Sequence, residues 1–190
     1  GDAAVSGQGL VYEIVQMAQL PAYKTGWSIH IVINNQVGFT TNYLDGRSST
    51  YCTDVAKTTL CPVLHINGDD AEAVVHAMKF AAAYRQEFKK DVFIDLLCYR
   101  RYGHNEGDEP RFTQPQLYQA ISNHPNPREI YNQKLMAQGV VESSIVKEMA
   151  KQFKNLLEQD LDEARKEQTT SMTRFMEKEW AHIKKAEASD

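Results

Sequence analysis

The sequence predicts an α/β domain of three layers, a parallel sheet with helices on both faces, followed by amphipathic helices at its C-terminal end. Two observations carry this prediction. Short apolar, β-branched runs alternate with longer segments of helical period through the first hundred residues. The runs are also nearly continuous in apolar character, as strands covered on both faces are. A length of 190 residues suits one domain of ordinary size. The boundaries expected are an α/β domain over 1–139 and a helical extension over 140–190.

Taken in order, Ser6 stands where it can cap a helix over Gly9 to Leu20, with Leu10, Ile14, Met17 and Ala18 on one stripe and Pro21 as the stop. Trp27 to Ile33 reads as a strand buried on both faces and ending at Asn34-Asn35. Cys61 to Ile66 and Asp91 to Cys98 repeat that character and are expected to be two more central strands. Between them Asp69 or Asp70 starts a helix through about Lys89, with Ala73, His76, Ala77, Phe80, Ala81 and Tyr84 at helical spacing. Residues 141–190 carry nine Lys/Arg and eleven Asp/Glu, yet Ile145, Met149, Phe153, Leu156, Leu157, Leu161 and Ala164 keep an apolar stripe. That pattern is an amphipathic helix rather than an acidic tail. A last helix is expected over Ser171 to Ala186, with Phe175, Met176, Trp180 and Ile183 facing inward.

Composition narrows the function. A net charge of -4 and a pI near 5.9 argue against a protein that grips nucleic acid through a basic face. No apolar run approaches the roughly 18 residues of a membrane helix, and Gly1-Asp2-Ala3-Ala4 lacks the features of a signal peptide, so a soluble domain is expected. Cys52, Cys61 and Cys98 form no CxxC pair and no disulfide framework, and they read as buried thiols in a reducing compartment.

A parallel sheet binds ligands beyond the carboxyl ends of its strands. Three polar segments are expected to open on that edge as loops: Gly1 to Ala4, Asn34 to Gly38, and Arg100 to Pro110. The Asp2 carboxylate, the Asn35 amide oxygen and a nearby main-chain carbonyl form an all-oxygen donor set of low charge, which suits Mg²⁺. Gly7-Gln8-Gly9 opens a helix whose free N–H groups favour an anion. It is neither a Walker loop nor a dinucleotide fingerprint, because no Gly-Lys-Ser/Thr follows and Tyr12 stands where a third glycine belongs. For each segment alone the plainer account is local: Asp2 caps a turn, and Asn34 and Asn35 satisfy backbone at a strand end. His30 and His65 read as core histidines, whereas His76, His124 and His182 carry no signal. A metal hydrolase built on His104, Glu106 and Asp108 would need a closed ligand set that these loop positions do not offer.

Jointly the segments say more. A Gly-Asp start followed 33 positions after the Asp by the second residue of Asn34-Asn35 resembles the diphosphate-binding signature of thiamine diphosphate enzymes, with Ala3 in place of the usual Gly. Gly1 to Gly9, Ile31 to Thr41, Tyr51 to Lys57 and Cys98 to Pro110 together resemble one family, the thiamine-dependent decarboxylating first component of the 2-oxoglutarate dehydrogenase complex, in which Ala at that position is usual. The resemblance runs from residue 1 to about Gly139.

The resemblance implies the thiamine diphosphate-binding fold and the cofactors thiamine diphosphate and Mg²⁺. It implies oxidative decarboxylation of 2-oxoglutarate in the tricarboxylic acid cycle, with a succinyl group passed to the dihydrolipoyl succinyltransferase component. The thiazolium ring would be the electron sink, the protein supplying position and electrostatics. Asp2, Asn35 and the Val37 carbonyl would be the metal ligands, Ala3 and Ala4 would lie against the diphosphate, and Gln36 and Gly38 would shape that loop. His104, in Gly103-His104-Asn105-Glu106, would be the catalytic residue and a cofactor contact, its neutral imidazole donating to phosphate or to the acyl adduct; the plainer account makes it a solvated partner of Glu106, Asp108 or Glu109. Arg100 and Arg101 would steady the anionic cofactor or pair with Asp108. A homodimeric parent is implied, cytoplasmic in bacteria or in the mitochondrial matrix of eukaryotes. The glutamate that activates the cofactor has no counterpart in the chain, since Glu13 is misplaced for it. An excised piece that turns nothing over alone is therefore expected. The 2-oxoadipate enzyme and a non-catalytic scaffold are the alternatives.

Overall fold

The structure is a computed structural model that describes residues 1–24, 26–166 and 176–183. It divides into two units, Gly1–Val140 and Val141–Asp190. The first is mixed α/β around a parallel sheet.

The chain begins with two short helices, α1 (Asp2–Gly7) and α2 (Gly9–Met17), and a 3-10 turn over Pro21–Tyr23. Strand β1 (Ile29–Asn34) follows, then a two-stranded ribbon of β2 (Val37–Gly38) and β3 (Thr41–Asn42), and α3 (Tyr43–Gly46). A 3-10 helix over Cys52–Thr59 leads to β4 (Val63–Asn67), α4 (Ala71–Phe88) and β5 (Val92–Leu97). Two further helices, α5 (Pro115–Asn123) and α6 (Pro127–Ala137), complete the unit.

The sheet runs β1-β5-β4, all parallel, with Val32 and His65 both in register with Asp95. Strand β5 is the best buried because it alone has a neighbour on either side. Its Val92 and Ile94 join Ile66 and Ala81 in one core, against which Ala73, Val74, Ala77, Met78 and Tyr84 of α4 pack. Phe93 points the other way, into a core with Val15 of α2 and Ala56 of the 3-10 helix. The Asp70 carboxylate caps α4 by accepting from Ala73 N–H at 3.0 Å, and Lys89 closes it in the left-handed region.

Several expectations are corrected. Gly1 to Ala4 is no loop but the start of α1. Ser6 does not cap α2; it lies inside α1, where its hydroxyl donates to the Asp2 carbonyl at 3.0 Å, as short hydroxyl side chains do within helices. Helix α2 stops at Met17 and buries Val15, while the expected stripe residues Leu10 and Ile14 are exposed. Strand β1 is not covered on both faces. Ile31 and Ile33 are each 48% exposed, because β1 is an edge strand in this sheet and α4 covers only Ile29 of its residues on that face. β4 is an edge strand too, which leaves β5 as the single central strand. On α4, His76 and Phe80 face solvent, and Val74 and Met78 take the core positions instead.

In the second unit α7 (Ser143–Lys166) carries the stripe from Ile145 to Leu161 on an exposed face. Of the last expected helix, residues 171–175 and 184–186 lie outside the described residues. Residues 176–182 form successive turns rather than a helix, with Trp180 N–H donating to the Met176 carbonyl at 2.9 Å. Among the described residues no helix is long and apolar enough to cross a membrane.

Candidate functional site

The C-terminal ends of β1, β4 and β5 lie on one edge of the sheet, and α1 sits at that edge beside β1 and β2. A carbon built on Gly1 would lie 3.8 Å from the Ile33 carbonyl, and one built on Gly38 would lie only 2.7 Å from Ala3 Cβ. Helix α1 and the Asn34 to Gly38 loop therefore touch at Ala3 and Gly38, a contact that the absence of a Cβ at Gly38 permits. The three polar segments are continuous, since the His104 ring packs on Phe39, next to Gly38, at 4.9 Å between centroids.

Asp2 is 1% exposed. Its Oδ2 accepts from Arg47 Nη1 at 3.2 Å, an ion pair with both side chains buried, while its Oδ1 has no partner. A buried carboxylate oxygen without a partner is costly unless a cation or donor meets it. Arg47 Nε and Thr53 Oγ1 are likewise unpartnered. Asp2, Ala3, Gly38, Thr41 and Arg47 line a cavity of about 240 Å³. Ala4 is exposed on α1, its carbonyl accepting from Gln8 N–H at 3.1 Å.

The loop after β1 is shaped by its own amides. Asn34 Oδ1 accepts from Gln36 N–H and Asn35 Oδ1 from Val37 N–H, both at 3.2 Å. These Asx turns carry the chain through Gln36, whose φ is +66°. Gln36 Nε2 donates to the Cys98 carbonyl at 2.8 Å, tying the loop to β5. The plain local roles of Asn34 and Asn35 are thus both present, and Asn35 Oδ1 keeps a lone pair beyond the one given to Val37.

The Arg100 to Pro110 segment is braced differently from expectation. Arg100 donates to the Tyr118 hydroxyl and to the Phe39 carbonyl, each at 3.0 Å, and Tyr118 in turn donates to the Tyr102 carbonyl. Arg101 lies over the Tyr102 ring. Neither pairs with Asp108, whose carboxylate accepts from His104 N–H at 2.8 Å. Gly103 packs directly against the Asp108 backbone, which only a residue without Cβ permits. His104 is exposed, its ring facing Phe39. Among the described residues no cluster of three or more His, Cys, Asp or Glu could hold a metal.

Two residues escaped sequence reasoning, Arg47 and Asp95. Asp95 is 4% exposed in β5 and accepts from Asn34 Nδ2 at 2.9 Å and from the Cys52 thiol at 3.7 Å, with His65 Nδ1 at 2.9 Å. An aspartate inside the apolar run from Val92 to Leu97 was the available signal, because a buried carboxylate demands partners. His30 pairs similarly with Asp91, at 2.8 Å. Of the thiols only Cys52 is fully buried, the other two being half-buried. Burial, with Asp95 next in effect, pushes the Cys52 thiol up to about 12; burial also raises Cys61 and Cys98.

The family model described as "Dehydrogenase E1 component" matches residues 1–173. The chain is 51% identical over 159 residues to the 2-oxoglutarate dehydrogenase E1 component of Haemophilus influenzae, covering 83% of this chain and 17% of the relative. It is 51% identical over 162 residues to the mitochondrial 2-oxoglutarate dehydrogenase of Dictyostelium discoideum, covering 85% and 16%. Against the Rickettsia prowazekii 2-oxoglutarate dehydrogenase E1 component it is 44% identical over 190 residues, covering 100% and 20%. The chain thus spans a fifth or less of the length of these relatives. It belongs to the dehydrogenase E1 component family.

Proposed function

We propose that this chain provides the diphosphate- and metal-binding part of a thiamine diphosphate-dependent 2-oxoglutarate dehydrogenase E1 component. The observation that carries the reading is the buried Asp2 carboxylate, with one oxygen neutralised by Arg47 and the other left without a partner, on a helix pressed against the Asn34 to Gly38 loop. The residues fit a hard divalent cation. Asp2 Oδ1, Asn35 Oδ1 and the Val37 carbonyl are all oxygens of low total charge, the chemistry Mg²⁺ takes alongside water and phosphate oxygens. Ala3 and Ala4, small side chains on α1, would let a diphosphate approach the backbone. The three-layer thiamine diphosphate-binding fold belongs to this reading, with α4 against one face of the sheet and α2 with the 3-10 helix against the other.

When bound, the cofactor supplies the electron sink for decarboxylation of a 2-oxo acid. The protein's own part is to position and to manage protons. Asp2, Asn35 and Val37 anchor the anionic end, and His104, held by Asp108 through its backbone and by Phe39 through its ring, presents an imidazole that donates or accepts a proton at the edge of that site. The names of the relatives favour 2-oxoglutarate over 2-oxoadipate. Succinyl transfer to the dihydrolipoyl succinyltransferase component, a homodimeric assembly, and a place in the bacterial cytoplasm or the mitochondrial matrix belong to the same proposal through the family resemblance.

The reading is tested by calorimetry of thiamine diphosphate with Mg²⁺ on the full-length protein and its Asp2→Ala variant. Loss of metal-dependent binding with the fold kept, by circular dichroism, is expected. Unchanged binding would favour a non-catalytic scaffold.

A further inference from the structure

We propose that Asp95 is a positioning residue for the metal loop, acting through Asn34; the proposal rests on the reading of Asp2, Asn35 and Val37 as cation ligands. Asp95 sits in the central strand with both oxygens engaged: Oδ1 by Asn34 Nδ2 and the Cys52 thiol, Oδ2 by His65 Nδ1. Its three partners come from β1, the 3-10 helix Cys52–Thr59 and β4. Of the three, Asn34 is the one that belongs to the loop carrying the candidate ligands Asn35 and Val37.

The orientation of that amide decides the loop. Asp95 Oδ1 faces Asn34 as an acceptor, shared with the Cys52 thiol, so Asn34 turns its NH₂ group inward and its oxygen outward. The outward oxygen is the one that accepts from Gln36 N–H at 3.2 Å. This bond helps hold Gln36 at a φ of +66°, a conformation that residues other than glycine adopt only under constraint. Asn35 and Val37 flank Gln36 and take their directions from it. With the Asn34 amide reversed, an N–H would face the Gln36 N–H, and the turn presenting the Asn35 oxygen and the Val37 carbonyl would lose its first tie. Groups that orient metal ligands from behind typically alter metal affinity by about 10–100-fold when removed.

The test uses the full-length protein with thiamine diphosphate, and Mn²⁺ in place of Mg²⁺ so that bound metal is counted by electron paramagnetic resonance, independent of turnover. Asp95→Leu, close in size but with no acceptor to offer Asn34 Nδ2, is expected to weaken Mn²⁺ binding about 10–100-fold. Asn34→Ala breaks the same bond from its other end, is expected to give a loss of similar size, and decides the matter should Asp95→Leu not fold. His65→Gln and Cys52→Ser touch the same carboxylate but not the loop, and are expected to hold Mn²⁺ within about threefold of the parent while lowering the melting temperature. Parental affinity in a folded Asp95→Leu or in Asn34→Ala, with binding lost in Asp2→Ala, overturns the proposal alone. An equal loss in His65→Gln overturns it as well, since the whole network around Asp95 would then be responsible. Parental affinity in Asp2→Ala overturns the site itself and the proposal with it.

Discussion

Replacing Gly38 by Ala puts a methyl group where Ala3 Cβ already stands. The added carbon would sit 2.7 Å from that atom, whereas non-bonded carbons settle about 3.5–4.0 Å apart. Neither carbon can rotate away, since each is bonded directly to its backbone. Helix α1 and strand β2 must therefore part by roughly 0.8–1.3 Å, a displacement set by ordinary carbon contact distances. Overpacking of this kind costs about 1–3 kcal/mol, and it opens between the helix carrying Asp2 and the loop carrying Asn35 and Val37. A Mg²⁺ shell with ligands at about 2.0–2.1 Å does not stretch by that much. Calorimetry on the full-length protein should show Mg²⁺-dependent thiamine diphosphate affinity falling about 10–100-fold, with the far-ultraviolet circular dichroism unchanged. Adding Ala3→Gly removes the opposing methyl and should restore most of the affinity, less up to about 1 kcal/mol for a glycine within α1. Parental affinity in Gly38→Ala, or no recovery in the double variant, would refute the claim that contact between α1 and β2 sets the site.

Two further outcomes follow from the buried charges and the buried thiol. Arg47→Met leaves the Asp2 carboxylate buried without its counter-charge, so thermal unfolding without metal should show a loss of about 3–5 kcal/mol, partly recovered by millimolar Mg²⁺; a loss indifferent to Mg²⁺ would speak against a cation at Asp2. Cys52, raised from 9.0 to about 12, holds its proton more tightly folded than unfolded. Its contribution to stability is therefore complete below pH 9 and fades as pH climbs toward 12. Cys52→Ala should accordingly show a shallower alkaline loss of stability than the parent between pH 9 and 10.5, and identical slopes would contradict the burial argument.

The sheet was legible because its strands are short, β-branched and bounded by polar residues, and α4 because Asp70 caps it at the head of an apolar stripe. The exposure of Ile31 and Ile33 was not legible, since continuous apolar character says that a strand is meant for burial but not which neighbours cover it. Helix α1 escaped because six residues ending in Gly7 carry little helical signal; its conformation follows from packing Asp2 and Ala3 against β1 and β2. The donor pattern of Asp2, Asn35 and Val37 could be proposed from residue chemistry, but Arg47 and Asp95 could not be tied to it. Their key bonds span 45 and 61 positions respectively, and nothing in local periodicity reports a contact that the tertiary fold alone creates.

The most direct measurement is a crystal structure of the full-length protein with thiamine diphosphate and Mg²⁺. An Asp2 carboxylate oxygen, Asn35 Oδ1 and the Val37 carbonyl oxygen are each expected at about 2.0–2.1 Å from one octahedral ion that also binds the diphosphate. A cation held elsewhere, with Asp2 still paired only to Arg47, would contradict it.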